Sequence, residues 1–336
     1  MRKSTMMFVA MLTLFVPRAR SADTPPLKLI TTYEFPSDVD SRFDHLIVDL
    51  DSHRLFTTPK KSVDVFDLET GKLIHRITEV EVPHALLYRR DLQRLYVTDG
   101  EPGGLKIFDA KTYELIKTVK LLPDADAIAY DPVTKYIYIY NGGKDAQHTY
   151  STITIVDTTS GEKVNDITVD GDQLECMVLE TKGPKLYVNN RAKNEVDVID
   201  RNTRQVLAIW PVTLGKGNDP IALDETHHRL FVICRSGKLV VFDTETGKEL
   251  QAYPVGEFVD DLVFDAKSKR LYAPSGVAGS VDVYEQTDPD HYKSLGKIST
   301  GEWGKTGELV PELHRYFVPV PKSGTKNAKV MVYQVQ

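Results

Sequence analysis

The feature that most constrains this chain is a strand motif, close to Arg-Leu-Tyr-Val, that recurs seven times. The copies occupy residues 54–56, 94–97, 136–139, 185–188, 229–232, 270–272 and 315–318. The second residues of successive copies are 40, 42, 49, 44, 41 and 45 positions apart. A period in the low forties without sustained helical periodicity is typical of the four-stranded blades of a β-propeller. The sequence therefore predicts an all-β fold, a seven-bladed β-propeller.

Each repeat contains the segments that a four-stranded blade needs. An apolar run ending at an aspartate precedes the motif, as at 46–49, and an alternating segment follows it, as at 63–67. Turns such as Thr70-Gly71 then lead into a fourth strand. The last repeat stops after its third strand, whereas residues 27–35 form a strand-like segment before the first repeat. We therefore expect the N-terminal strand to complete the last blade, so that no long sheet edge stays open.

Residues 1–22 have the pattern of a secretory signal peptide. Arg2 and Lys3 precede an apolar run at residues 6–16, and small residues follow it. The run is shorter than the roughly 20 residues that a helix needs to cross a bilayer. An uncleaved membrane anchor is the alternative. We expect residues 23–336 to form a single propeller domain that is periplasmic or secreted and has no transmembrane segment.

The charge of the chain disfavours nucleic acid as a partner. The formal net charge is −6, and residues 1–22 carry four basic and no acidic side chains. Removal of that segment lowers the charge by four, to −10. Because phosphate contacts need clustered Lys and Arg, a chain this acidic is a poor binder of nucleic acid.

The cysteine content excludes a framework of several disulfides, because only Cys176 and Cys234 are present. Export would permit one bond between them. We expect buried free thiols instead, since both residues lie in strand-like segments of neighbouring repeats.

Several segments resemble those of the YVTN-repeat propellers, in particular the exported YncE-like branch. The resemblance rests on residues 42–46, 124–128, 224–231 and 310–313, and it extends over nearly all of the chain after residue 22. It implies the propeller architecture and says little about function. Related propellers include electron-transfer subunits, lyases, lactonases and proteins without an assigned activity.

The repeats place seven ionisable residues at one register, eleven positions before the second residue of each motif. At this register we expect the innermost strand of each blade to begin, at the mouth of the central channel. The seven positions hold Asp44, His84, Asp126, Glu175, Asp219, Asp260 and Lys305. Neighbouring carboxylates about 8 Å apart would repel each other by about 2 kcal/mol at an effective dielectric of about 20. Such a ring favours a bound ligand, a cation or protonation, and a merely solvated acidic ring is the alternative.

Two arginines are expected near this ring. The loops that join the second and third strands should open on the same face, and they supply Arg191 and Arg235. One interpretation is structural, with Arg191 and Arg235 paired to Glu175 and Asp219. The other is a mixed-charge pocket suited to a zwitterion, a carboxylate or a metal-bridged ligand.

A metal site is also a hypothesis at this face. Asp44, His45, His84 and Asp126 offer oxygen and nitrogen ligands from three consecutive blades. A carboxylate-rich set points to a hard divalent cation, Ca²⁺ first, although no local spacing specifies it.

The absence of catalytic motifs favours a binding protein. The sequence contains no Gly-x-Ser-x-Gly, His-Glu-x-x-His, Walker, dinucleotide or Cys-x-x-Cys-His motif. We therefore expect an exported binding or scaffold protein with an acidic ligand- or cation-binding site at the channel mouth, for an ion, a small molecule, or a protein or peptide. The alternative is a metal-dependent, lactonase-like hydrolase or lyase at the same site, in which the metal polarises a carbonyl and His84 or an aspartate moves the proton.

Overall fold

Seven four-stranded antiparallel sheets make up the fold. The computed structural model describes residues 24–39 and 42–336, so the segment interpreted as a signal peptide lies outside the described residues. Each sheet contains one copy of the repeated motif as its second strand. The predicted seven-bladed β-propeller is confirmed. Within the described residues, no helix is long and apolar enough to cross a membrane.

The strands follow one another in chain order: β2 to β25 form six consecutive blades of four strands, and β26 to β28 form the seventh blade together with β1. The first half of the chain contains β1 (Leu27–Glu34), β2 (Phe43–Asp49), β3 (Arg54–Pro59), β4 (Val63–Asp67), β5 (Leu73–Ile77), β6 (Pro83–Arg89), β7 (Arg94–Asp99), β8 (Gly104–Asp109), β9 (Leu115–Lys120), β10 (Ile128–Tyr130), β11 (Tyr136–Gly142), β12 (Tyr150–Asp157) and β13 (Glu162–Asp170). The second half contains β14 (Leu174–Leu179), β15 (Lys185–Asn190), β16 (Glu195–Asp200), β17 (Gln205–Pro211), β18 (Asn218–Asp224), β19 (Arg229–Cys234), β20 (Lys238–Asp243), β21 (Glu249–Pro254), β22 (Val263–Asp265), β23 (Arg270–Ser275), β24 (Ser280–Asp288), β25 (His291–Ser299), β26 (Glu308–Val310), β27 (Arg315–Val320) and β28 (Lys329–Val335). Two short 3-10 helices, Gly143–Ala146 and Pro311–Leu313, lie between strands.

The repeated motif is apolar at consecutive positions because both faces of the second strand are covered by neighbouring blades. Successive residues of a strand point to opposite faces of the sheet. Leu186 is fully buried in the cluster between blades 3 and 4, and Tyr187 is fully buried in the cluster between blades 4 and 5. Fully burying one such side chain contributes about 1.5–3 kcal/mol. The motif therefore stabilises two blade interfaces at once.

Seven apolar clusters, one for each pair of neighbouring blades, form the core of the ring. The cluster between blades 7 and 1 is rich in aromatic residues and includes Phe35, Phe43, Phe66 and Phe317. The ring centroids of Phe35 and Phe43 are 4.7 Å apart. The interface between the last and the first blade is thus filled with buried side chains, as the others are.

The N-terminal strand completes the last blade, as predicted. β1 pairs with β28 in antiparallel fashion, with Leu27 opposite Val335 and Glu34 opposite Lys329. The backbone N–H of Phe35 then donates to the carbonyl of Ala328 at 2.9 Å. β1 is the outermost strand of a sheet in the order β1-β28-β27-β26. The ring is therefore closed by hydrogen bonds between the two ends of the described chain.

Both cysteines are free thiols, as expected. Cys234 in β19 is fully buried, whereas Cys176 in β14 is only partly buried. Cys176 lies near the channel axis, where its Sγ is 3.7 Å from the carbonyl oxygen of Asp260.

Candidate functional site at the channel mouth

The seven residues predicted from the register lie around one cavity at the mouth of the channel. This cavity has a volume of about 620 Å³. Its walls include Asp44, His84, Asp126, Glu175, Asp219, Asp260 and Lys305, together with Arg235 and His45. Arg191 reaches the same ring through its contact with Glu175. We call the seven residues the mouth ring.

The mouth ring is positioned by the starts of the innermost strands. In blades 1, 2, 4 and 5 the ring residue lies within the first strand, as Asp44 does in β2. In blades 3, 6 and 7 that strand is only three residues long, and the ring residue precedes it. In blades 6 and 7, hydrogen bonds between blades fix the position: the N–H of Asp260 donates to the carbonyl of Lys305 at 3.0 Å, and the hydroxyl of Thr306 donates to the carbonyl of Asp44 at 2.6 Å.

Carboxylates and bases alternate along one side of the ring. Arg191 Nη1 is 2.7 Å from Glu175 Oε1 and 4.0 Å from Asp219 Oδ2. The next base, Arg235, donates from Nε to Asp219, and its Nη2 is 3.6 Å from Asp260 Oδ1. Each arginine therefore lies between two carboxylates. Arg191 contacts Glu175 and Arg235 contacts Asp219, which are the pairings of the structural interpretation.

The alternation continues through Lys305 and His84. Lys305 forms an ion pair with Asp260, and its Nζ is 3.5 Å from Asp44 Oδ1. His84 Nδ1 is 2.6 Å from Asp44 Oδ2 and 3.8 Å from Asp126 Oδ1. Burial opposes charging of His84, but Asp126 and Asp44 outweigh it and raise the pKa of His84 to about 9. The imidazole is thus the fourth cation of the chain of charges at neutral pH.

The alternation ends between Asp126 and Glu175, two carboxylates from adjacent blades. Among the ion pairs of the described residues, Asp126 pairs with His84 and Glu175 pairs with Arg191. Burial, Asp219 and Asp126 raise the pKa of Glu175 to about 8. Burial and Asp44 raise the pKa of Asp126 as well. At this pair, which we call the acidic gap, an additional proton or cation would reduce the repulsion between the two carboxylates.

Asp44, His84 and Asp126 also form a group with the composition of a metal site. One donor atom from each lies within 4.8 Å of the other two, and this is the one such group of three within residues 24–39 and 42–336. The three side chains are about one-fifth to one-quarter exposed. Burial raises and Lys305 and His84 lower the pKa of Asp44, with the net effect that Asp44 stays ionised.

His45, the fourth residue of the metal hypothesis, faces the channel below the ring. Its Nδ1 is 3.0 Å from Asp261 Oδ1, and its Nε2 is 3.7 Å from Asp44 Oδ1. Burial opposes charging, but Asp261 outweighs it and raises the pKa of His45 to about 10. The geometry therefore assigns His45 to an ion pair with Asp261 rather than to the group of three.

Comparisons with known proteins agree with this architecture. No protein-family model matches the chain. The uncharacterized YncE proteins of Salmonella typhi and Salmonella typhimurium are 29% and 28% identical to it over 122 residues. Those residues cover 35% of this chain and 34% of the YncE chains, so the match spans about a third of the length of these relatives. The chain is a YncE-like β-propeller.

Solved structures similar to this YncE-like propeller extend over nearly all of it. The structure titled RRP9 WD40 repeats has a TM-score of 0.76 at 12% identity and covers 93% of this chain and 99% of its own. Kuenenia stuttgartiensis hydrazine synthase has a TM-score of 0.73 at 16% identity, with 96% and 100% covered. At these identities the likeness shows the fold alone.

The sequence prediction missed Asp261 and Glu308, which form a second layer of charged residues with His45 below the mouth ring of this YncE-like propeller. A chamber of about 230 Å³ is lined by His45, Asp261 and Glu308 among mostly apolar residues. Burial and Asp261 raise the pKa of Glu308 to about 8. Asp261 directly follows the ring residue Asp260, as His45 follows Asp44, so the position after each ring residue could have identified Asp261. Glu308 has no such signal.

Proposed function

We propose that this protein binds a small ligand through a positively charged group that enters the acidic gap between Asp126 and Glu175. The observation that carries the proposal is the end of the charge alternation at these two residues. Asp126 and Glu175 each have one basic neighbour at the mouth ring, whereas each of the other three carboxylates lies between two.

The physical basis is the cost of two adjacent, largely desolvated carboxylates. A unit positive charge at about 4 Å from a carboxylate gains about 4 kcal/mol at an effective dielectric of about 20, before desolvation is subtracted. In the acidic gap, one positive charge would interact favourably with both carboxylates. A proton competes for the same place, since the pKa of Glu175 is raised to about 8. Binding of the positive group should therefore strengthen as pH rises.

The test uses small organic cations as probes. Putrescine, methylamine and choline are titrated into the protein by calorimetry and thermal unfolding at pH 8. A probe at ten times its Kd should stabilise the protein by about 1.4 kcal/mol. Glu175→Gln and Asp126→Asn should weaken binding at least tenfold. The control is Glu162→Gln, which removes an exposed carboxylate paired with Lys117. Equal binding by all four proteins would contradict the proposal.

A second occupant, a divalent cation at Asp44, His84 and Asp126, is favoured by the 4.8 Å grouping of their donor atoms. An imidazole nitrogen beside two carboxylates suits Mn²⁺ or Zn²⁺ better than the Ca²⁺ expected from the sequence. His84 would have to lose its proton to bind a metal. Lys305, 3.5 Å from Asp44, would oppose the metal's charge.

Metal and organic cation can be separated by their variants. After chelator treatment, Mn²⁺, Zn²⁺ and Ca²⁺ are titrated in two buffers of different ionisation enthalpy, so that proton release is measured. Asp44→Asn should abolish metal binding and leave the probe amines bound, whereas Glu175→Gln should do the reverse. A metal-loaded protein that hydrolyses lactones, with loss on chelation, would support the lactonase-like alternative at this site.

We also propose that the protein is exported, on the basis of the pattern in residues 1–22. Expression of the full chain in a Gram-negative host and mass spectrometry of the product should give a mature N-terminus near residue 23. An intact chain in the membrane fraction would contradict cleavage.

A further inference from the structure

Two exposed aromatic side chains lie beside the mouth ring, on the side of blades 6 and 7. Phe258 is 37% exposed and Trp303 is 45% exposed. Their ring centroids are 5.9 Å apart at an interplanar angle of 70°. This edge-to-face contact is favourable for aromatic rings, but it leaves a large apolar surface in water next to a charged cavity.

Phe258 and Trp303 occupy the same register, two residues before a ring residue. At this register four blades have a left-handed backbone: φ is 62° at Asp124, 70° at Gly217, 55° at Phe258 and 64° at Trp303. Glycine adopts this conformation without a steric penalty, whereas a bulky residue does not. Blade 5 uses glycine there, and blades 6 and 7 use the two largest side chains of the four.

The backbone between the two aromatic residues is held by hydrogen bonds. The N–H of Gly276 donates to the carbonyl of Phe258 at 2.9 Å, and the N–H of Trp303 donates to the carbonyl of Gly276 at 2.7 Å. A Cβ atom at position 276 would lie 3.3 Å from Lys305 Cβ and 3.4 Å from Trp303 Cε3. The two rings therefore stand on a connected and crowded backbone, which we call the aromatic platform.

The platform adjoins two basic residues of the cavity wall, Arg235 and Lys305. The guanidinium of Arg235, a wall residue of the cavity, lies 5.5 Å from the ring centroid of Phe258. Lys305, another wall residue, is two positions after Trp303. Arg235 already forms an ion pair with Asp219, and Lys305 forms one with Asp260. On this side of the mouth, the aromatic platform is therefore an apolar surface next to ring residues whose charges are balanced.

In a seven-bladed ring the boundary between blades 3 and 4 lies opposite blade 7. The acidic gap is at that boundary, and the aromatic platform is on blades 6 and 7. The cavity of about 620 Å³ is lined by Asp126 and Glu175 of the acidic gap and by Arg235 and Lys305, which adjoin the platform. This is the size of a site for a small organic molecule and far more than one ion needs.

We propose that the ligand is a small aromatic amine, whose ammonium group enters the acidic gap while its ring packs against Trp303 and Phe258. The ammonium half of this statement rests on the proposed function. The aromatic half rests on the platform and can fail independently.

Ligand binding at the platform can be followed by tryptophan fluorescence, because the chain has only two tryptophans. Trp210 is 9% exposed in the core between blades 4 and 5, so Trp210→Phe leaves Trp303 as the sole reporter of fluorescence. Phenylalkylamines with two to six methylenes are titrated beside alkylamines of equal chain length and beside 4-phenylbutyrate. Calorimetry on the protein with both tryptophans gives the same affinities should Trp210→Phe not fold.

At the best chain length we expect the phenyl ring to improve the affinity at least tenfold and to change Trp303 emission. Trp303→Ala and Trp303→Gly should lose this gain while binding the alkylamine as the unmodified protein does. Glu175→Gln should weaken both amines. Phenylbutyrate should bind more weakly than phenylbutylamine.

Equal affinity for the phenylalkylamine and the alkylamine, or a ring preference that survives Trp303→Ala, would overturn the aromatic proposal and leave the proposed function intact. Alkylamine affinity unchanged by Glu175→Gln would overturn the proposed function instead. Tight binding of a peptide with no response to any amine would overturn both.

Discussion

The Nδ1 atom of His84 lies 2.6 Å from a carboxylate oxygen of Asp44, and the two residues belong to neighbouring blades. Protonation of either residue changes the pKa of the other. The charge of the mouth ring therefore affects an ion pair that joins blades 1 and 2. Asp126 adds a second carboxylate on the other side of the imidazole, at 3.8 Å.

Asp44→Asn should lower the pKa of His84 from about 9 toward 6.5, since it removes one of the two carboxylates that outweigh burial. Long-range ¹H–¹⁵N spectra of the imidazole recorded from pH 5 to 10 measure this directly. The folded pKa lies above the unfolded one, so the charged imidazole stabilises the protein fully below pH 6.5, and this contribution is lost as pH rises through 9. The variant should lose less stability across that window.

The matched control is Asp288→Asn, because Asp288 contacts the exposed His291 at 2.8 Å. That change should leave the titration of His84 unchanged. An unaltered His84 titration in Asp44→Asn would show that the contact does not govern its charge.

Glu308→Gln should flatten the fall of stability between pH 4.5 and 8. Burial and Asp261 raise the pKa of Glu308 to about 8, so the folded state holds a proton there that the unfolded state has released. Stability is therefore lost as pH rises through this window. Since Glu308 retains some exposure to the channel, we expect the variant to gain about 2 kcal/mol relative to the unmodified protein on going from pH 5 to pH 8.

Urea unfolding of both proteins at pH 5 and pH 8 measures this gain. Glu162→Gln is the control, because Glu162 is an exposed carboxylate paired with Lys117 and removing it should not give this gain. The same pH dependence in Glu308→Gln and the unmodified protein would contradict the assignment.

The repeat predicted the blade count, the ring closure and the seven residues of the mouth ring, because all three follow from register. Register does not specify where a side chain points. His45 directly follows Asp44, yet it turns to Asp261 rather than to the group of three. The pairing of Arg191 and Arg235 was open for the same reason. Phe258 and Trp303 lie in loops, where no alternation marks their exposure.

Leu186→Ala should destabilise the protein by about 3 kcal/mol, since Leu186 is fully buried between two blades and truncation leaves a cavity. Ile209→Ala is the matched control on the outermost strand of the same blade, where Ile209 is 55% exposed. It should change stability by less than about 0.5 kcal/mol. Chemical unfolding at one pH gives both values, and similar losses at the two positions would contradict the assignment of the motif to the blade interfaces.

Removal of β1 should open the ring. β1 supplies the outermost strand of blade 7, and Tyr33 and Phe35 belong to the cluster between blades 7 and 1. Without them, the edge of β28 and that cluster are exposed, so a chain starting at residue 36 should unfold at a lower temperature and associate through the free edge. Thermal unfolding and analytical ultracentrifugation measure both effects. A synthetic peptide of residues 26–36 should restore the melting temperature in a concentration-dependent way, whereas a peptide in which Tyr33 and Phe35 are replaced by serine should not. A truncated chain that stays monomeric with an unchanged melting temperature would show that hydrogen bonding by β1 does not stabilise the ring.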